Sequence, residues 1–113
     1  GGFPFVAGAG VVRSVAADAA STAARVELGD LNAPTDIAFD ERGRLLVLEM
    51  GLFDMELGFQ PGSGRLLRVD LASATRTVLL EGLTRPVTVL PLGDGAALVV
   101  QLNGDIVALS PAP

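Results

Sequence analysis

The sequence predicts an all-β chain of short antiparallel strands. Three observations carry this prediction. Two long segments repeat each other, each copy contains four short apolar segments, and Gly or Pro separates those segments as turn residues do. The elements of one copy therefore describe the other.

The internal repeat is the strongest of these observations. Residues 31–49 align without a gap with residues 83–101, an offset of 52 residues (83 − 31). A weaker third copy opens the chain, where residues 10–31 parallel residues 64–83 with two extra residues. Tandem self-similarity at a fixed period is typical of repeat architectures.

An insertion distinguishes the two main copies. The segment that begins at Gly64 matches the segment that begins at Gly104 with an offset of 40 residues. The first copy is therefore 12 residues longer (52 − 40), and the extra residues fall within residues 50–63. The second copy crosses the same place with Leu102 and Asn103.

Four strands are predicted in the full copy. In chain order they are "TDIAFD", "LLVLE" after a turn at "ERGR", "RLLRVDL" and "TRTVLLE". Their Val and Thr content suits a pleated surface. The Ala-rich residues 16–25 would also suit a helix, but the repeat favours a long hairpin there.

A four-stranded unit of roughly 40 residues in tandem is typical of a β-propeller blade. Residues 1–30 then hold the last strands of a preceding blade, residues 31–82 a full blade with the insertion, and residues 83–113 a partial following blade. These about two and a half antiparallel blades fall short of the typical four to eight. We expect a fragment of a larger propeller. Assembly with copies of itself or another chain, or a small β-sandwich, are the alternatives.

The blade pattern resembles a known group. P-x-x-I-A-F-D-x-x-G-R-L-L-V-L-E followed by G-R-L-L-R-V-D-L looks like a blade of the NHL-like six-bladed propellers, over about residues 31–110. The group includes NHL-repeat proteins, sorbosone and soluble sugar dehydrogenases, gluconolactonase-like proteins and secreted bacterial proteins. The resemblance implies a bacterial protein with an extracytoplasmic or periplasmic location.

Composition excludes several kinds of chemistry. His and Cys are absent, which removes Ser/His/Asp hydrolysis and thiolate metal sites. The net charge of −5 leaves no basic face for nucleic acid, and no apolar run is long enough for a transmembrane helix. The sugar dehydrogenases that the pattern resembles use a quinone with His and Arg nearby. We therefore expect no catalytic residue in this chain and no cofactor.

A propeller would place one set of loops at the mouth of its central channel. On that topology the candidate ligand residues are Asn32, Asp36, Glu49, Arg85 and Asn103, with Thr88 and Gln101 beside them. Asp36 and Glu49 together could hold Ca²⁺ through their oxygens. The alternative is that Asp36 caps a turn and Glu49 is a solvated strand end.

The insertion is unusually apolar for a loop. Its apolar residues are Leu52, Phe53, Met55, Leu57 and Phe59, with Asp54 and Glu56 between them. They either fold back over the core or form an exposed patch that binds a protein partner, and their alternation would suit an added edge strand. The sequence thus predicts a non-catalytic binding or scaffold module. The alternative is part of a sugar dehydrogenase or lactonase whose catalytic residues lie elsewhere.

Overall fold

The computed structural model describes residues 6–14 and 25–111, without the side chains of residues 25–27. These residues form eleven β-strands. The strands are β1 (Gly10–Ser14), β2 (Arg25–Leu31), β3 (Pro34–Phe39), β4 (Leu45–Glu49), β5 (Phe53–Asp54), β6 (Gly58–Phe59), β7 (Gly64–Asp70), β8 (Thr75–Leu83), β9 (Pro86–Gly93), β10 (Ala96–Gln101) and β11 (Ile106–Leu109). The all-β prediction is confirmed. The connection for which we predicted a long hairpin, residues 15–24, lies outside the described residues.

The strands form four open antiparallel sheets. The first sheet pairs β1 with β2, the second has the order β3-β4-β7-β8, and the third has the order β11-β10-β9. Strands β5 and β6 form a separate two-stranded sheet, called the inserted hairpin below. Because consecutive strands are neighbours, the second and third sheets are meanders.

The second sheet lies between the other two and is covered on both faces. All five residues of β4 are buried, which explains why "LLVL" is a continuous apolar run rather than an alternating one. Leu45 and Val47 pack toward the first sheet, in a cluster with Leu28 and Leu31. Two further clusters are not needed to join the third sheet, since one cluster holds both sheets together: Leu46, Leu48, Leu66, Leu83, Val89, Ala97 and Val99.

The repeat is visible in the backbone. Ala33 and Arg85, which are 52 residues apart, have positive φ values of 51° and 48°. The register slips at the same place twice, between Gly10 and Val12 in β1 and between Gly64 and Leu66 in β7. Equivalent residues therefore occupy equivalent positions in successive sheets.

One glycine shows why this register needs a small residue. A Cβ atom on Gly64 would lie 2.8 Å from Cδ of Pro86 and 2.9 Å from the carbonyl oxygen of Leu83. Gly10 faces Pro34 and Leu31 in the same way. The close approach of a Gly to a Pro is thus a recurring contact of the repeat.

Side chains add polar contacts between the sheets. The Arg76 guanidinium donates to the carbonyl oxygens of Gly29 and Asp30 in the first sheet. On the other side, Glu41 Oε2 accepts the backbone N–H of Asp94 at 2.7 Å. These contacts fix how the three sheets lie against one another.

Candidate functional site

The insertion forms a hairpin of its own rather than an added strand of the second sheet. Phe53 pairs with Phe59 and Asp54 with Gly58, which leaves a three-residue turn. Asp54 Oδ1 accepts the N–H groups of Glu56 and Leu57 at 2.8 and 3.1 Å. Gly58 has a φ of +80°, the left-handed conformation that closes turns of this length.

The base of the hairpin is held by hydrogen bonds. Leu52 donates its N–H to Ser63 Oγ at 3.0 Å and accepts the N–H of Gln60 at 2.8 Å. Ser63 Oγ in turn donates to the carbonyl oxygen of Gln60 at 2.6 Å. The N–H of Gly62 reaches Thr84 Oγ1 at 2.9 Å, which ties the hairpin to the loop before β9. The hairpin is therefore mounted in one orientation.

The five apolar residues of the insertion divide into two sets. Phe53 and Phe59 are half-buried and their rings meet edge to face, with centroids 5.1 Å apart. Met55 and Leu57, at the tip, are 68% and 75% exposed, and Leu52 is 39% exposed. The expected patch of five exposed side chains is therefore wrong in detail. Cross-strand pairing turns the two rings toward each other, and three exposed side chains are left.

The insertion does not fold back over the core. None of its apolar side chains belongs to either core cluster of the described residues. Instead the hairpin lies beside Arg85: a Cβ atom on Gly58 would be 3.7 Å from the Arg85 guanidinium. The predicted patch and one predicted channel-mouth residue are thus neighbours.

Arg85 and Asn103 share a cleft next to the hairpin. Its volume is about 360 Å³, and it is lined by Pro61, Thr84, Arg85, Leu102 and Asn103. Arg85 is exposed, and Asn103 Oδ1 caps its own turn by accepting the N–H of Asp105 at 3.0 Å. Leu102, which sequence analysis did not select, is 63% exposed beside them. An exposed Leu in so short a turn was the signal for it.

Glu49 is buried and fully engaged, so it is not a solvated strand end. Its side chain is 0% exposed. Oε2 accepts the N–H of Asn32 at 2.6 Å, and Oε1 accepts from Nε and Nη2 of Arg65 at 2.8 and 2.7 Å. The Asn32 side chain accepts the N–H of Gly8 at 2.8 Å. Asn32 and Glu49 therefore join a loop to the end of a strand.

The same contact occurs one repeat later. Gln101 is 8% exposed, and its Oε1 accepts the N–H of Thr84 at 2.6 Å. Gln101 and Thr84 lie 52 residues after Glu49 and Asn32. A side-chain oxygen at the end of the second strand of each repeat thus satisfies a backbone N–H that the preceding loop would otherwise leave unpaired.

Asp36 connects two sheets rather than capping a turn. Its Oδ2 accepts Thr88 Oγ1 at 2.8 Å and the N–H of Val89 at 2.9 Å, both in β9. Its Oδ1 accepts the N–H of Ile37 at 3.0 Å. The structure therefore gives Asp36 and Glu49 different partners. Within residues 6–14 and 25–111, no group of three acidic side chains is placed to hold a metal ion.

Asn32 lies in a different cleft, between the first and second sheets. This cleft has a volume of about 410 Å³ and includes Asn32, Arg65 and Arg76 among its lining residues. The five predicted channel-mouth residues thus fall into three places: Asn32 with Glu49, Asp36 between the sheets, and Arg85 with Asn103. The pair Arg85 and Asn103, together with the hairpin, is the part that remains open to a ligand or partner.

No protein-family model, curated protein or solved structure matches this chain. The described residues contain no helix long and apolar enough to cross a membrane. The class that the geometry defines is an all-β chain of open antiparallel sheets with an apolar hairpin inserted into one repeat.

Proposed function

We propose that the chain is a non-catalytic binding or scaffold module built from β-propeller blades of the NHL-like kind. It is an extracytoplasmic accessory part of a larger protein or assembly, and it binds a protein partner through the inserted hairpin. The observation that carries the proposal is the hairpin tip, where Met55 and Leu57 are 68% and 75% exposed on a mount held by hydrogen bonds.

The propeller part of the proposal draws on the meander and its repetition. A blade is a four-stranded antiparallel meander, and the second sheet has that order. Neighbouring sheets meet through equivalent residues, with the Gly–Pro contact made at Gly10 and again at Gly64. Units that bury their apolar faces against neighbours of the same kind are typical of repeat proteins.

The binding part of the proposal draws on rigidity and composition. An exposed apolar tip is costly unless it is covered, and apolar side chains rimmed by polar ones mark interaction sites. Here Met55 and Leu57 are flanked by Asp54 and Glu56. Because the Phe53–Phe59 contact and the Asp54 cap already order the hairpin, binding would lose little conformational entropy.

A tip variant tests the contact surface. Met55→Ser combined with Leu57→Ser removes both exposed side chains while the ring pair and the Asp54 cap stay. A partner captured with the wild-type chain, identified and purified, should bind this variant at least about tenfold more weakly. Leu71→Ser is the matched control, since Leu71 is 41% exposed in the β7–β8 turn. Unchanged affinity in a folded tip variant would contradict the proposal.

The native size tests the propeller. Gel filtration of a native extract, followed by immunodetection, should show a species of about 30 kDa or more, the size of the smaller complete propellers. Detection in the periplasmic or secreted fraction is expected as well. A native species near 11.5 kDa that unfolds cooperatively would overturn the propeller assignment.

The cleft at Arg85 and Asn103 supports a second candidate, part of a propeller enzyme of the sugar dehydrogenase or lactonase type. A space of about 360 Å³ with one cation and one amide is able to receive a small polar ligand. Thermal shifts with Ca²⁺ and with a soluble quinone separate the candidates. A shift with either ligand that Asn103→Ala removes would favour the enzyme, and no shift with either would count against it.

A further inference from the structure

The third sheet has an apolar face that no other sheet of the described chain covers. Leu90, Leu92 and Ile106 on this face are 56%, 55% and 62% exposed. Leu98 lies between Leu90 and Ala108 across the sheet, and Val100 lies between Thr88 and Ile106. We call this surface the outer face of the third sheet.

The equivalent face of the second sheet is covered. Leu98 and Val100 correspond to Leu46 and Leu48 at an offset of 52 residues, and Ile106 to Leu66 at an offset of 40. Those three leucines are 4%, 0% and 0% exposed, because the third sheet packs against them. The same set of positions is thus an interface in one sheet and open in the next.

The polar contacts of that interface do not recur on the outer face. On the second sheet, the carboxylates of Asp36 and Glu41 accept N–H groups of the third sheet. The positions 52 residues later hold Thr88 and Gly93. Strands β9, β10 and β11 contain no charged residue, so the outer face combines apolar side chains with a lack of charge.

We infer that two copies of this chain pack the outer faces of their third sheets against each other. A further sheet bound as the third binds the second would lack the two carboxylates, whereas like-with-like packing needs none. Each copy carries a net charge of −5, and an uncharged contact surface is where such copies meet with least repulsion. The inference rests on the proposed function in one respect, since it supplies the contact of a larger assembly.

The size of the face sets the strength of the pairing. Three strands about 4.8 Å apart, with about six residues at roughly 3.4 Å each, form a contact of about 14 by 20 Å. That is below the area of a standard protein interface. The dimer is therefore weak and depends on concentration, and it exchanges with the monomer.

Sedimentation equilibrium of the 113-residue chain tests the pairing. Between roughly 10 and 500 µM, the range of weak association, the mass should rise from 11.5 kDa toward twice that value. Leu90→Lys and Ile106→Lys should each weaken the dimer at least about tenfold, because an ammonium group would be desolvated against apolar side chains. Leu57→Lys, on the hairpin, is the matched control, with the same charge change at a 75% exposed leucine, and it should dimerise like the wild type.

Two results would overturn the inference. One is a wild-type chain that stays monomeric at the highest concentration. The other is a dimer that Leu57→Lys breaks and Ile106→Lys does not. Should a lysine variant fail to fold, amide chemical shifts of the wild type answer instead. Concentration-dependent shifts should fall in β9–β11, and shifts at the hairpin or in β1 would contradict the pairing. A monomeric chain whose partner binding still needs Met55 and Leu57 would overturn this inference and leave the proposed function standing.

Discussion

At the scale of single residues, the buried carboxylate of Glu49 shows what the repeat conceals. Its partners come from 17 residues before it and 16 residues after it. The sequence placed Glu49 at a channel mouth because it ends a strand. The Arg65 contact could not be inferred from the repeat, since the equivalent pair in the next copy is Gln101 and Asp105.

A double-mutant cycle measures this ion pair. Arg65→Met leaves the 0% exposed carboxylate without its cation. We expect a loss of roughly 2 kcal/mol in the free energy of unfolding, less than for a fully buried pair because the Arg65 side chain is 36% exposed. Adding Glu49→Gln should restore most of it, since an amide oxygen accepts the equivalent N–H in Gln101. Urea unfolding of the four chains gives the values, and a double variant no more stable than Arg65→Met would contradict the account.

The carboxyl of Asp40 gives the β3–β4 turn a dependence on pH. Burial acts to raise the pKa of Asp40, but hydrogen bonds from the N–H groups of Arg44 and Arg42 and from the Arg44 guanidinium outweigh it. The pKa therefore lies below its ordinary value of 3.8. A group with a depressed pKa contributes stability that is fully present above the ordinary value and is lost as the pH falls through the folded value.

Asp40→Asn should remove this contribution. The variant is expected to be less stable than the wild type at neutral pH and to lose less stability on acidification below pH 3.8. Urea midpoints recorded between about pH 5 and about pH 2.5 test this. Parallel pH profiles for the two chains would show that the turn does not depend on the Asp40 charge.

At the scale of elements, the strands were predictable and the hairpin was only partly so. Every strand of the second sheet covers a segment predicted from the repeat and its turn residues. The 12-residue insertion was located by comparing two copies of one sequence. Which side chains it exposes was not predictable, because pairing Phe53 with Phe59 depends on a turn set by Asp54 and Gly58.

Deleting the hairpin tests whether it is independent of the sheet. Replacing residues 50–63 by Leu-Asn copies the shorter connection of the third sheet and removes 12 residues. We expect cooperative unfolding to persist, because the apolar side chains of the hairpin lie outside both core clusters. Partner binding should be lost. A deletion variant that is unfolded by circular dichroism would show that the hairpin supports the sheet.

At the scale of the whole molecule, the second sheet is the element through which all three sheets are coupled. Leu45 packs toward the first sheet and Leu48 toward the third, only three residues along the same strand. The sequence predicted that β4 is apolar but not that both of its faces are covered, since a continuous apolar run also fits other buried segments. The coupling follows from stacking, which an individual strand pattern does not encode.

Truncating these two leucines tests whether the stack unfolds as one unit. Leu45→Ala and Leu48→Ala each remove a side chain that is 2% or less exposed, at an expected loss of about 2–5 kcal/mol. Leu71→Ala, at a 41% exposed position, should change stability by less than about 0.5 kcal/mol. Amide hydrogen exchange distinguishes the cases. In a single unit, Leu48→Ala accelerates the slowest amides of β2 in the first sheet as much as those of β10 in the third. Acceleration confined to the third sheet would show instead that the sheets separate one at a time.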